Sequence, residues 1–210
     1  MSVYLFDFDG TLVDSMPVFG AAVLHVLDKN GVTYPDDIVK IITPLGFAGT
    51  ADYFIRELGA TKSRDELVEE MTAYMVEAYM NTIPAKAHVA DALRALRARG
   101  ERLAVLTASP HKTLDPCLKR VGLYDLFERV WSCDDFNTTK ADPSIYKMAA
   151  KELGIPVEEL IFLDDNINAD MTAIAAGARV FGVFDESSAD MESEMREVCE
   201  RYIRDFSELL

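Results

Sequence analysis

Cysteine is scarce in this sequence: Cys117, Cys133 and Cys199 stand far apart along 210 residues, with neither a paired ligand motif nor the density of a disulfide framework. A reducing compartment, the cytoplasm, is the expectation. Positive charge is also short, with 21 lysines and arginines against 36 aspartates and glutamates and a formal net charge of −15. A field of that sign repels a nucleic-acid backbone and an anionic bilayer surface, so neither is an expected partner. No stretch approaches the roughly 20 apolar residues a membrane span requires, and Asp7 interrupts the apolar N-terminus where a secretory peptide would need an unbroken run. Repeats, low-complexity tracts and long linkers are missing as well. Half the residues are hydrophobic and 27% charged, the balance of an ordinary globule.

Short apolar runs stand at Val3–Phe6, Arg102–Thr107, Arg129–Ser132 and Leu160–Asp165, with Arg179–Val183 a weaker fifth. Each is rich in branched or aromatic residues and reads as a buried strand. Between them lie helical patterns that end at glycine: Val89, Ala92, Leu93 and Leu96 before Gly100, then Leu114, Cys117, Leu118 and Val121 before Gly122. The alternation predicts an α/β fold, a doubly wound, mainly parallel sheet whose ligands gather at the carboxyl ends of the strands.

Residues 15–83 differ. Helical periodicity runs through Met16, Phe19, Val23, Val26 and Leu27, and again through Leu67, Met71, Tyr74, Met75 and Ala78, with no convincing strand. The expected organisation is a core domain of residues 1–14 and 84–210 and an α-helical domain of residues 15–83, with hinges at Asp14-Ser15 and Thr82-Ile83-Pro84. Inserted after the first strand, the helical part could act as a lid.

The chemistry concentrates in acids. Asp7 and Asp9, one residue apart at a strand end and followed by Gly10, are drawn inward by the strand before them and need a cation or a proton there. Asp164 and Asp165 end another strand, where helix capping ahead of residues 169–177 is an equally good reading of the pair alone. Asp170 could orient a metal-bound water or face solvent on the first helical turn. Thr107 could be a strand-end residue only, and a lone lysine such as Lys140 is ordinarily exposed. Ser109, His111 and Lys112 lie near a helix N-terminus, where anions are favoured but caps are more common. His25, in an apolar helical stretch, reads as a core or boundary histidine.

Four segments together resemble the motifs of the haloacid dehalogenase-like hydrolase superfamily: Asp7-Phe8-Asp9-Gly10-Thr11-Leu12-Val13-Asp14-Ser15, the segment ending in Thr107, Lys140-Ala141-Asp142-Pro143, and Leu163-Asp164-Asp165-Asn166. Their order and separations match over nearly the whole chain. The resemblance implies a Rossmann-like core with a helical cap, since the stretch between Lys140 and Asp164, about two dozen residues, is too short for a cap placed later. It implies a magnesium-dependent phosphatase acting on a small phosphorylated metabolite. Asp7 would be the nucleophile and Asp9 the acid and base. Lys140 and Thr107 would hold the phosphoryl oxygens, and Mg²⁺ would sit among Asp7, the Asp9 carbonyl, Asp164 and Asp165.

Two positions depart from that pattern: Ala141 stands where proline often follows the lysine, and His88 where a glycine is common near the return hinge. A phosphomutase on the same scaffold is the first rival. The segment Thr43–Thr50, read as a substrate-facing loop, carries no arginine or lysine to grip a second phosphate, although Lys86 or Lys112 could supply that charge. The second rival is an idle binding or regulatory module on the same fold. Oligomeric state is not legible.

Overall fold

The structure is a computed structural model that describes residues 2–42 and 45–210, excepting the side chain at 40. The chain divides into two compact units, one of Met1–Asp14 and Pro84–Leu210, the other of Ser15–Ile83.

The first unit holds a six-stranded parallel sheet. Its strands are β1 (Val3–Phe6), β2 (Arg102–Thr107), β3 (Arg129–Ser132), β4 (Leu160–Asp164), β5 (Arg179–Val183) and β6 (Arg201–Ile203), in the spatial order β3-β2-β1-β4-β5-β6. Every described pairing between these strands is parallel. Each parallel step needs a crossover. These are helical: α5 (Val89–Ala98) leads into β2, α6 (His111–Arg120) into β3, α7 (Ser144–Leu153) into β4, α8 (Ile167–Ala176) into β5 and α9 (Glu192–Val198) into β6. With helices on the sheet, both faces are covered, which is why the central strands read as unbroken apolar runs rather than alternating ones. Leu5, Leu106, Phe162 and Val180 share one core with Ile145, Tyr146 and Ala173 of α7 and α8. Phe6 points the other way, against the rings of Phe127 and Phe206.

Strand order reverses direction between β1 and β4, and in open α/β sheets ligands bind outside the carboxyl ends of the strands at such a switch point. The pairing Phe6↔Leu163 continues one step further through Asp7 N donating to Leu163 O at 2.8 Å. That register sets Asp7 beside the end of β4.

The second unit is helical: α1 (Met16–Lys29), α2 (Ile38–Ile42), α3 (Gly46–Glu57) and α4 (Arg64–Asn81). Val23, Val26, Leu27, Phe54, Leu67 and Met71 form its core. Glu70 ties it together from α4, accepting from Lys29, Lys62 and Asn30, and those donors pull its carboxyl down to about 2. Ser63 and Glu66 form a reciprocal capping box at the start of α4.

One expectation changes, and one strand joins those the pattern shows. β6 escapes sequence pattern because three residues are too few to show a period. The segment taken as a substrate-facing loop is helical from Gly46 onward, while Thr43 and Pro44 lie outside the described residues.

Candidate active site

Asp7 follows β1, Thr107 closes β2 and Asp164 closes β4, so three adjacent strands deliver three polar side chains to one edge of the sheet. All three are buried, as is Asp165. The carboxylate oxygens of Asp7, Asp164 and Asp165 can be chosen so that they all lie within 4.8 Å of one another. Lys140 reaches into this cluster from the turn before α7: its Nζ donates to Asp7 Oδ1 and, at 2.7 Å, to Asp164 Oδ2. Tyr146 of α7 steadies the lysine's backbone, donating to the Lys140 carbonyl at 3.2 Å and to the Ala169 carbonyl at 3.1 Å. The turn closes without proline at 141, because Asp142 N bonds to Thr139 O and the Asp142 carboxylate accepts from Ser144 N at 2.9 Å.

Burial leaves its mark on these acids. It pushes Asp7 up to about 7, with Lys140 pulling down while Asp164 and Asp9 push further up. Asp165 is raised well above the usual carboxylate range, first by burial and then by Asp164 and Asp7. Burial alone would lower Lys140, but Asp164 and Asp7 outweigh it and raise the ammonium above its ordinary value. One buried ammonium paired with two of three clustered carboxylates leaves negative charge uncompensated. A cluster of carboxylate oxygens with that excess suits a hard divalent cation, so the residues present fit a metal.

The loop after Asp7 is shaped around Asp165. Gly10 takes φ +73°, and a Cβ there would lie 2.4 Å from Asp165 Oδ2, so only glycine fits. Thr11, fully buried, donates to Asp165 Oδ1 at 2.9 Å. Residues 84–86 bridge to this loop through Lys86 N to Leu12 O and Asp14 N to Pro84 O.

The remaining candidates separate. Ser109 Oγ donates to Asp9 Oδ2 at 2.5 Å. His111 lies between Asp115 at 2.7 Å and Asp135 at 2.8 Å, and Lys112 is exposed. His25 is exposed with its ring against Tyr74. His88 adopts the left-handed conformation, φ 59°, that a glycine takes without strain, and its Nδ1 is held 2.7 Å from Asp205. Asp170 does not face solvent: it is fully buried, accepts from Cys199 Sγ at 3.3 Å, and is pushed up to about 9 by burial and then by Asp164.

Lys86 is not free to meet a second phosphate. Its Nζ donates to Gly10 O and Phe184 O at 2.6 Å each and to Asp185 Oδ2 at 3.0 Å, locking three loops together. Nothing in the local sequence marks Asp185 as its partner, 99 residues away. Lys86→Met would leave a buried carboxylate without its cation, a loss of about 3 kcal/mol. Melting should fall by roughly 6–12 °C, and Lys86→Met with Asp185→Asn should recover part of the loss. Melting within a degree of wild type would remove the lock.

Residues 1–177 match the haloacid dehalogenase-like hydrolase family. The chain is 30% identical to a phosphoglycolate phosphatase of Colwellia psychrerythraea over 190 residues, covering 86% of this chain and 83% of that protein. It is 28% identical to the pyrophosphatase PpaX of Bacillus velezensis over 185 residues, 87% of this chain and 83% of the other. Among solved structures, CbbY of Rhodobacter sphaeroides in complex with phosphate superposes with a TM-score of 0.78 at 24% identity, covering 100% of this chain and 96% of that one; at that identity it supports the fold. Among the described residues no helix is long and apolar enough to cross a membrane.

Proposed function

Because the chain belongs to the haloacid dehalogenase-like hydrolase family, we propose that it hydrolyses small phosphomonoesters through a covalent aspartyl-phosphate on Asp7. The observation that carries the reading is the meeting of Lys140 with both Asp7 and Asp164 inside a buried carboxylate cluster. A nucleophile, a fixed cation and a set of hard ligands are what phosphoryl transfer asks of a protein.

In the first half-reaction an Asp7 carboxylate oxygen attacks phosphorus in line while the bond to the leaving oxygen breaks and Asp9 protonates that oxygen. In the second, Asp9 takes a proton from water, whose oxygen bonds to phosphorus as the bond to Asp7 breaks. Lys140 holds charge against the phosphoryl oxygens in both steps, and Thr107 donates its hydroxyl proton to one of them. A divalent cation, which we assign as Mg²⁺, would be held by Asp7, Asp164, Asp165 and the Asp9 carbonyl, and when bound it neutralises charge on the transferred group. We assign substrate selection to the helical unit Ser15–Ile83, the cap of this reading, on the ground that it is inserted directly after the loop carrying Asp7 and Asp9.

Of the relatives named above, one is a phosphoglycolate phosphatase and one a pyrophosphatase, and small phosphomonoesters such as phosphoglycolate are the substrates we expect. Hydrolysis is preferred to a mutase reaction because Lys86, a cation that could have gripped a second phosphate, is already engaged. The test is phosphate release from a panel of small monophosphates, sugar bisphosphates and an aryl phosphate, with an assay for phosphate migration within hexose phosphates. Release from monophosphates is expected. Efficient isomerisation, or a bisphosphate preference above about tenfold, equivalent to roughly 1.4 kcal/mol, would favour the mutase, and silence across the panel an idle module.

A further inference from the structure

The turn after β2 presents a hydroxyl to which the proposed mechanism gives no task. Ser109 Oγ donates to Asp9 Oδ2 at 2.5 Å, joining residues 100 positions apart. The backbone that carries it is braced on three sides. Ser109 N donates to Thr107 Oγ1 at 3.1 Å. Pro110 follows with its φ held by the ring, at −74°, and its carbonyl accepts from Thr113 N and Thr113 Oγ1. The first residue of α6, His111, then fastens the turn to both Asp115 of its own helix and Asp135 beyond β3. This is a built support for one hydroxyl.

We infer that Ser109 is a positioning residue for Asp9, an inference that rests on the acid and base role proposed for Asp9 above. A hydroxyl can donate to a carboxylate and can also accept from a carboxylic acid. One serine therefore holds Asp9 in both of its protonation states, where an ammonium could hold only the ionised one. Both half-reactions need this. In the first, the Asp9 O–H must meet the departing oxygen as its bond to phosphorus breaks and the Asp7–phosphorus bond forms. In the second, the Asp9 carboxylate must meet the water whose oxygen displaces Asp7 from phosphorus and leaves Asp7 as a carboxylate. A misplacement of about 1 Å at either moment costs on the order of a hundredfold in rate.

The leaving group supplies a readout that a merely structural role would not move. p-Nitrophenolate departs without a proton, whereas an alkoxide needs one, and kcat/KM reports the first half-reaction for both. Ser109→Ala should lower kcat/KM for an alkyl phosphate by roughly 10- to 100-fold, within the range attributed to general acids, and by at least tenfold more than for p-nitrophenyl phosphate. With the aryl ester, a burst of nitrophenol should appear as hydrolysis of the phospho-enzyme becomes the slower step. Ser109→Thr keeps a hydroxyl and should restore most of the alkyl rate, while Ser109→Val, of the same shape, should not; this pair serves if the alanine variant folds poorly. Equal losses on both esters, or no loss on either, would overturn the inference. Asp9→Asn, measured alongside, separates the two levels. If it discriminates between the esters and Ser109→Ala does not, only the serine's role falls; if Asp9→Asn shows no discrimination, both fall together.

Discussion

Asp7→Asn should yield a folded protein that does not turn over. An amide cannot attack phosphorus, yet it nearly preserves side-chain volume, so the packing around this buried position is kept. The change also removes one of three negative groups crowded at the site. Lys140 keeps Asp164 as its counter-ion at 2.7 Å and can still donate to the amide oxygen. The circular dichroism spectrum should therefore match wild type, and melting should stay within a few degrees. Rate should fall below about a hundredth, a scale set by the loss of a catalytic group, and no phosphorylated protein should be seen on rapid quenching. A folded variant that kept more than that fraction would show that Asp7 is not the nucleophile. Asp9→Asn should instead slow the release of phosphate and let the phospho-enzyme build up.

Removal of divalent cation should abolish activity, and Asp165→Ala should do most of the same damage in the presence of cation. Lys140 pairs with Asp7 and Asp164, while the adjacent Asp165 meets the Thr11 hydroxyl, so the cluster is electrostatically unfinished without a further positive charge. That predicts a second effect independent of turnover: saturating Mg²⁺ should raise the melting temperature of wild type, because ligand at about a hundred times its Kd adds roughly 2.7 kcal/mol to stability. The increment should shrink in Asp165→Ala. Ca²⁺ should stabilise the fold yet support less activity, since it accepts more oxygens at longer distances and would draw Asp7 from in-line approach. Full activity in excess chelator would sink the metal assignment. Unchanged metal titrations for both Asp164→Ala and Asp165→Ala would move the site elsewhere.

Where sequence reading stopped short, the cause is the same at each place. Burial of Asp170 depends on α8 packing against β4 and β5 and on Cys199 beyond the next helix, and nothing within a turn of Asp170 distinguishes a buried carboxylate from a solvated one. The left-handed backbone that glycine would take at the return hinge is taken by His88, whose ring meets Asp205, 117 residues away. Thr11 reads as one more polar residue in a loop until its hydroxyl is seen on Asp165.

Local pattern was enough for the architecture of the core. Apolar runs of strand length alternated with helical periodicity and glycine stops, and both faces of a parallel sheet must be covered, so β1 to β5 were legible from the order of residues alone. Two acids at the end of one strand and two at the end of another also pointed to the edge of the sheet where Asp7, Asp164 and Asp165 come together. Only the tertiary structure decided which groups meet: Lys140 with Asp7 across 133 residues, Thr11 with Asp165 across 154, Lys86 with Asp185 across 99 and Ser109 with Asp9 across 100. A strand's period is a property of neighbours in the chain, whereas the partner of a buried charge depends on strand order and register, which are set by the packing of the whole core.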